Sequence, residues 1–303
     1  MSLLDQQEKF EDIWKSLQAE GEVDGDSRRR LSLKTDFFIV RQGKTGLPIL
    51  RTELDQDHPV KFNKEDIRPT QQFDIKVSQS ETGQQIVAIE LKDLLYEDIF
   101  IKFATNAVNR IRKLDKNHEA AEALVRRLRT WRAAFKGDRP SGLSKAAQIG
   151  LYGELKMLEN LMVMGVGVPS SVKAWTGAAQ GTQDFQIDGI AIEVKTLVQA
   201  EPQRFKINSA RQLDETFFNA LLIAHHKAHR QKDAGQTLPE IVNVIRENIS
   251  DDTTALEEFE DKLVLAKYLD SDENLYEEDG YGIVETNYYR VRPGFPKITE
   301  SQL

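Results

Sequence analysis

The chain contains no cysteine. That excludes a disulfide framework and every thiolate metal site. Histidine is scarce, five in 303 residues, so little material exists for an imidazole-based centre. No stretch approaches the roughly 18–20 consecutive apolar residues that a membrane span requires. The opening MSLLDQQEKFEDIW is charged and lacks the apolar run of a signal peptide, so a cytoplasmic protein with no membrane partner is the expectation. No internal repeat and no long low-complexity stretch interrupts the sequence, and no Ser-His-Asp constellation can be placed.

Basic excess is also missing, since the net charge is −8. The charge is unevenly spread, however. Residues 251–280 hold twelve Asp and Glu against two Lys. This segment alone outweighs the whole-chain charge, so the remainder is net positive. Residues 110–139 hold ten Lys and Arg against four acids. A phosphate-binding surface needs a local basic patch rather than a basic protein, although charge runs on helices usually face water.

The pattern of elements predicts α/β architecture. Residues 5–20 read as an amphipathic helix. Two strand pairs follow, one turning near Gly43–Gly46 and one near Glu81-Thr82-Gly83. Helices are predicted over roughly Tyr96–Leu114 and His118–Phe135. The second carries Ala121, Leu124, Leu128 and Trp131 at helical spacing, with Arg126, Arg127 and Arg129 assigned to the opposite side as candidate DNA contacts. GDRPSG at 137–142 marks a boundary, giving an N-terminal α+β domain over 1–140 and a second domain over 141–303. Beyond it the expectations are a helix capped by Ser144 and reaching about Met164, a strand near 172–176, a hairpin over 183–196, a strand at 204–207 and a helix from Ser209. A strand then includes part of 217–225, and 238–303 reads as helical and acidic before ending in YGIVETNYYRVR.

The chemistry concentrates in GTQDFQIDGIAIEVKT, residues 181–196. Asp188-Gly189 between alternating apolar runs is a strong two-residue hairpin signal. With those two as the turn, Ile187 faces Ile190, Gln186 faces Ala191, Phe185 faces Ile192 and Asp184 faces Glu193. Alternation then puts Phe185, Ile187, Ile190, Ile192 and Val194 on a core-directed face and Asp184, Gln186, Ala191, Glu193 and Lys195 on the other. Two carboxylates directly opposite, with Cβ atoms about 5 Å apart, repel unless neutralised. A hard divalent cation does this, and Mg²⁺ prefers one or two carboxylates plus waters and substrate phosphate. Lys195, on the same face, can orient a water and offset charge growing on a phosphate. Taken alone, an acid-x-Lys triplet is most simply a solvated hairpin face. The apolar neighbours in IAIEVK favour a buried sheet instead.

The helix LSKAAQIGLYGELKMLENLMV supplies a second part. Leu151, Leu155, Leu158, Leu161 and Met162 form its apolar stripe, and Glu154 falls inside that stripe. A carboxylate there is costly unless paired or bound to metal, though a Glu at the stripe's edge can keep its head in water. Gly150 and Gly153 allow another backbone to approach closely.

The order GELKMLENL, WTG, QDFQID, IAIEVKT resembles the PD-(D/E)XK nuclease superfamily. Asp184 matches the first metal-binding acid, Glu193 and Lys195 the E-x-K pair, and Glu154 the acid of the preceding helix. Gln183 replaces the proline, and the eight residues between Asp184 and Glu193 are few for this superfamily. RFKINSARQLDE, with Ser209 and Gln212 opening a helix, is similar to a particular family of PD-(D/E)XK proteins of about this length, found in prokaryotic phage-defence and restriction clusters. The resemblance implies a restriction-endonuclease-like core, a mixed sheet flanked by helices, over about 145–226, with a helical and acidic C-terminal extension. It implies a Mg²⁺-dependent endonuclease, Mn²⁺ substituting, acting on double-stranded DNA beside methyltransferase or ATPase components; by the same analogy a homodimer would supply the two active sites that double-strand cutting usually needs. Asp184, Glu193 and the Val194 carbonyl would hold the metal, Lys195 and Glu154 the water, and Gln212 and Ser209 would assist. The alternative is a catalytically silent DNA-binding or scaffolding subunit of a defence complex that keeps the nuclease fold.

Other signals were weaker. HHKAH at 225–229 lacks a partner cluster for zinc. Gly43-Lys44-Thr45 lacks the upstream glycine of a P-loop, with Phe38 in its place, and MGVGVP follows a helix where a dinucleotide site follows a strand. Trp175, two residues before Gly177, reads as core packing rather than a base-stacking platform.

Overall fold

The computed structural model describes residues 10–21, 25–31, 33–70, 72–135, 142–179, 181–198, 218–292 and 295. Two compact units divide the chain, Met1–Pro140 and Ser141–Leu303.

In the first unit α1 (Phe10–Ala19) precedes β1 (Ser27–Arg30), β2 (Phe37–Arg41), β3 (Pro48–Leu54), β4 (Phe73–Gln79) and β5 (Gln85–Leu91). They form an antiparallel sheet in the order β1-β2-β3-β5-β4. Both expected hairpins are present, with Gly46 and Gly83 at positive φ in their turns. Sequence reading missed β1, whose SRRR has no apolar alternation and lies at the sheet edge. Helices α2 (Glu97–Ile111) and α3 (Asn117–Phe135) fall where the periodicity put them. Their aromatic residues meet the sheet at Phe73, which contacts Phe100 edge-on and lies tilted against Phe103, and Phe103 meets Trp131 edge-on.

The three arginines assigned to a basic face of α3 do not share one. Arg127 is buried, with Nε donating to Asn106 Oδ1 at 2.6 Å. Arg129 pairs with Asp66, and Arg126 lies 4.0 Å from Glu122. Consecutive residues on a helix point about 100° apart, so one of two adjacent arginines turns inward.

The second unit begins with α4 (Lys145–Val163), whose Ser144 cap accepts from the Ala147 N–H. The strand expected near 172–176 is instead α5 (Val168–Ala174). Gly167 at φ 85° and a proline in the first turn start the helix, because proline fixes a helical φ where its missing N–H costs nothing. Only a single bridge, Trp175 to Phe185, survives of the expected strand. Strands β6 (Phe185–Ile187) and β7 (Ile190–Val198) form the hairpin, and β8 spans Ala220–Lys232. The expected strand at 204–207, Ser209 and Gln212 lie outside the described residues. After the two-residue β9 (Gln236–Thr237) come α6 (Leu238–Ile249), α7 (Thr253–Leu265) and β10 (Asp279–Arg290).

The resulting sheet is mixed, in the order β6-β7-β8-β10-β9, with β7 and β8 parallel and the other pairs antiparallel. The segment expected as an extension beyond residue 226 is built into this unit. Its Leu238, Ile241, Phe259, Leu263, Tyr268 and Tyr276 share one core with Leu151, Leu155, Trp175, Phe185 and Ile192. The acidic run also does structural work: Asp252 caps α7 at the Ala255 N–H, and Glu260 and Asp270 both hold Arg246.

Helix α4 approaches β7 through Gly153. A Cβ there would lie 1.7 Å from Thr196 Oγ1, whereas one at Gly150 meets nothing within 4 Å. Gly153→Ala is therefore expected to destabilise the second unit by about 1–3 kcal/mol through overpacking. Gly150→Ala should stabilise it by roughly 0.5–1 kcal/mol by removing a helix-interior glycine. Urea unfolding of both variants checks this; equal effects would refute the close approach.

Candidate active site

The hairpin turn has the two consecutive left-handed residues of a type I′ turn, Asp188 at φ 47° and Gly189 at φ 77°. It sets the pairs Phe185–Ile192, Gln186–Ala191 and Ile187–Ile190, as the sequence predicts. The ladder stops there. Asp184 lies just outside it, and its carbonyl, directed away from β7, accepts from the N–H groups of Thr176 and Gly177 at 2.8 and 2.9 Å. Its carboxylate instead turns onto β7, where Oδ2 accepts from the Val194 N–H at 2.7 Å.

Strand β7 is buried on both faces. Ile192 and Val194 join the large core under α4. On the opposite face, expected to be polar, Ala191 packs with Leu221, Ile223 and Val291. Ile190, expected in the core, is 36% exposed because it borders the turn. Glu193 is consequently only 1% exposed, and its Oε1 receives the Lys195 ammonium at 2.6 Å.

Glu154 reaches the same place from α4. Its Oε2 accepts from the indole Nε1 of Trp175 at 2.7 Å, and it interacts electrostatically with Asp184, Glu193 and Lys195. The four residues singled out from sequence are thus brought together by one helix and one hairpin. Trp175, Thr176 and Gly177, which touch the acids, were not singled out as functional. Only their order between the helix and the hairpin marks them in the sequence.

Three carboxylates sharing one ammonium resist ionisation. Burial, then the charge of Asp184, push Glu154 up to about 8 against the opposing pull of the Trp175 hydrogen bond. Burial and Asp184 likewise push Glu193 up to about 7, opposed by Lys195. Asp184 is raised by burial, against the stabilising Val194 N–H and Lys195.

A family model described as "Putative PD-(D/E)XK family member" (DUF4420) matches residues 10–303. The chain belongs to this family. No curated protein and no solved structure matches it. The mixed sheet with its flanking helices is consistent with a PD-(D/E)XK-like fold.

PD-(D/E)XK nucleases generally use a divalent metal. Among the described residues no three His, Asp or Glu side chains form a ready-made metal cage. Each acid here is turned to a protein donor instead: Asp184 to Val194, Glu193 to Lys195 and Glu154 to Trp175. The donor chemistry nevertheless fits a hard divalent cation, since the set is all oxygen and its three carboxyl groups, once ionised, outnumber the single ammonium of Lys195. Mg²⁺ needs only one or two carboxylates and keeps its waters.

Between its ordinary value of 4.5 and about 8, folded Glu154 retains a proton that the unfolded chain has released. Stability without divalent cations should therefore fall as pH rises through this window and level off above it. Glu154→Gln should flatten that slope and raise the high-pH unfolding midpoint by roughly 2–4 °C per kcal/mol relieved. Thermal unfolding from pH 4.5 to 9 in a chelator checks this; an unchanged slope in the variant would contradict the assignment.

Proposed function

We propose that this PD-(D/E)XK family member is a DNA endonuclease that hydrolyses phosphodiester bonds with Mg²⁺, Mn²⁺ substituting. The observation carrying this reading is the convergence of Glu154, Asp184, Glu193 and Lys195 from α4 and the β6–β7 hairpin, with negative charge in excess.

Asp184, Glu193 and the Val194 carbonyl would hold the metal. When bound, Mg²⁺ supplies positive charge against a phosphoryl group and lowers the pKa of a coordinated water. Lys195, three-way donor and mostly buried, directs its protons at the attacking water and at the phosphate oxygen where charge accumulates. Glu154 accepts a hydrogen bond from that water while Trp175 fixes its second oxygen. Attack at phosphorus breaks the P–O3′ bond and leaves a 5′-phosphate.

The wider setting extends the same reading. The protein acts on double-stranded DNA in the cytoplasm, in a restriction or phage-defence system with methyltransferase or ATPase components, and two copies supply two active sites for double-strand cutting. No helix among the described residues is long and apolar enough to cross a membrane.

Asp184→Ala and Lys195→Ala are each expected to lower Mg²⁺-dependent cleavage of phage DNA by roughly 100-fold or more, with unchanged circular dichroism. Wild-type cleavage by either variant would remove these residues from catalysis. DNA binding without any cutting by the wild-type protein would favour a scaffolding subunit.

A further inference from the structure

We propose that Trp175-Thr176-Gly177 is a positioning clamp that sets the two acids reaching the site from different elements, with Trp175 acting through Glu154. The residues hold the acids through side-chain donors, backbone donors and open space. Trp175 grips the helix acid by its side chain, donating to Glu154 Oε2 at 2.7 Å. The backbone N–H groups of Thr176 and Gly177 grip the hairpin acid by its carbonyl, and Thr176 Oγ1 donates to the preceding carbonyl of Gln183 at 2.9 Å. Gly177 leaves room for the carboxylate itself: a Cβ there would lie 2.7 Å from Asp184 Oδ1.

The clamp is rigid. Trp175 is fully buried, its ring lies 6.0 Å from that of Phe259, and its backbone bridges Phe185 at the start of β6. The indole therefore cannot follow Glu154 if the carboxylate swings; it fixes where the carboxylate rests. An indole N–H is a donor that carries no charge and cannot accept. It orients Glu154 without adding a positive charge, so a cation arriving there meets no competing ammonium or guanidinium. A phenylalanine would fill the same volume but leave the carboxylate without its director.

This inference rests on the nuclease reading for its rate measurements alone. Trp175→Phe should lower kcat roughly 10- to 100-fold, the cost of one hydrogen bond to a charged group, with KM for DNA within about two-fold of wild type. In a Glu154→Ala background the same substitution should change the residual rate by less than about two-fold, since coupled residues are not additive. An equal loss in both backgrounds would reduce Trp175 to a packing residue and overturn the proposal. A second measurement needs no activity. The other two tryptophans, Trp14 and Trp131, belong to the first unit, so the indole N–H resonance of Trp175 is identified by its loss in a Trp175→Phe spectrum or by selective labelling. In the wild-type protein it should be protected from hydrogen exchange. In Glu154→Ala it should shift and exchange at least tenfold faster. An unchanged indole resonance in Glu154→Ala would refute the clamp whether or not the protein cuts DNA, whereas the expected resonance change without cleavage would uphold the clamp and count against the nuclease reading.

Discussion

Repulsion among Glu154, Asp184 and Glu193 is the constraint around which the second unit is organised. Water would screen such charges at little cost, but Glu193 is almost wholly buried and its neighbours are crowded. At low local dielectric each carboxylate makes the next harder to ionise. The fold answers with one fixed donor per acid: a backbone N–H for Asp184, an ammonium for Glu193 and an indole for Glu154. Only the Lys195 ammonium offsets charge; the backbone N–H and the indole hold their acids without balancing them. A protein selected for stability alone would be better served by apolar residues here. An expensive cluster retained within an otherwise well-packed core is the kind of local conflict that functional sites show.

Holding this cluster requires stiff supports. The type I′ turn fixes β6 on β7, and the second buried cluster on the far face of β7 prevents the strand from yielding toward solvent. Helix α4 is brought close by the missing side chain of Gly153, which places the neighbouring Glu154 against the hairpin. Helices α6 and α7 complete the core beneath Trp175 through Leu238, Ile241 and Phe259. The residues after 226 thus stabilise the site from behind, though they carry none of its acids.

The hairpin was legible because its determinants are local. Asp188-Gly189 and two-residue alternation fix a register with no outside help, and helix α4 announces itself by its cap and stripe. What stayed hidden depends on tertiary context. The burial of the second face of β7 comes from Leu221, Ile223 and Val291, far away in sequence. The spacing predicts Asp184 opposite Glu193 as the next rung of the ladder, but the paired register ends at Phe185–Ile192 and the Asp184 side chain accepts from the Val194 N–H instead. The segment of the short helix α5 suits a strand equally well by pattern, because apolar runs of this length fit either state. Arg127 looked like part of a basic face because charge alone does not reveal that Asn106 awaits it inside. Trp175 was rightly placed in the core, but nothing in its spacing discloses that its indole faces Glu154.

If excess carboxylate charge at this site is matched to a cation, the cation should bind where the acids meet and depend on them. Calorimetric titration of the chelator-treated protein with Mn²⁺ at pH 8 is the direct measurement. Saturable binding by the wild-type protein, lost in both Asp184→Asn and Glu193→Gln, is the result this account predicts. No binding by the folded wild-type protein, or undiminished binding by both variants, would contradict it.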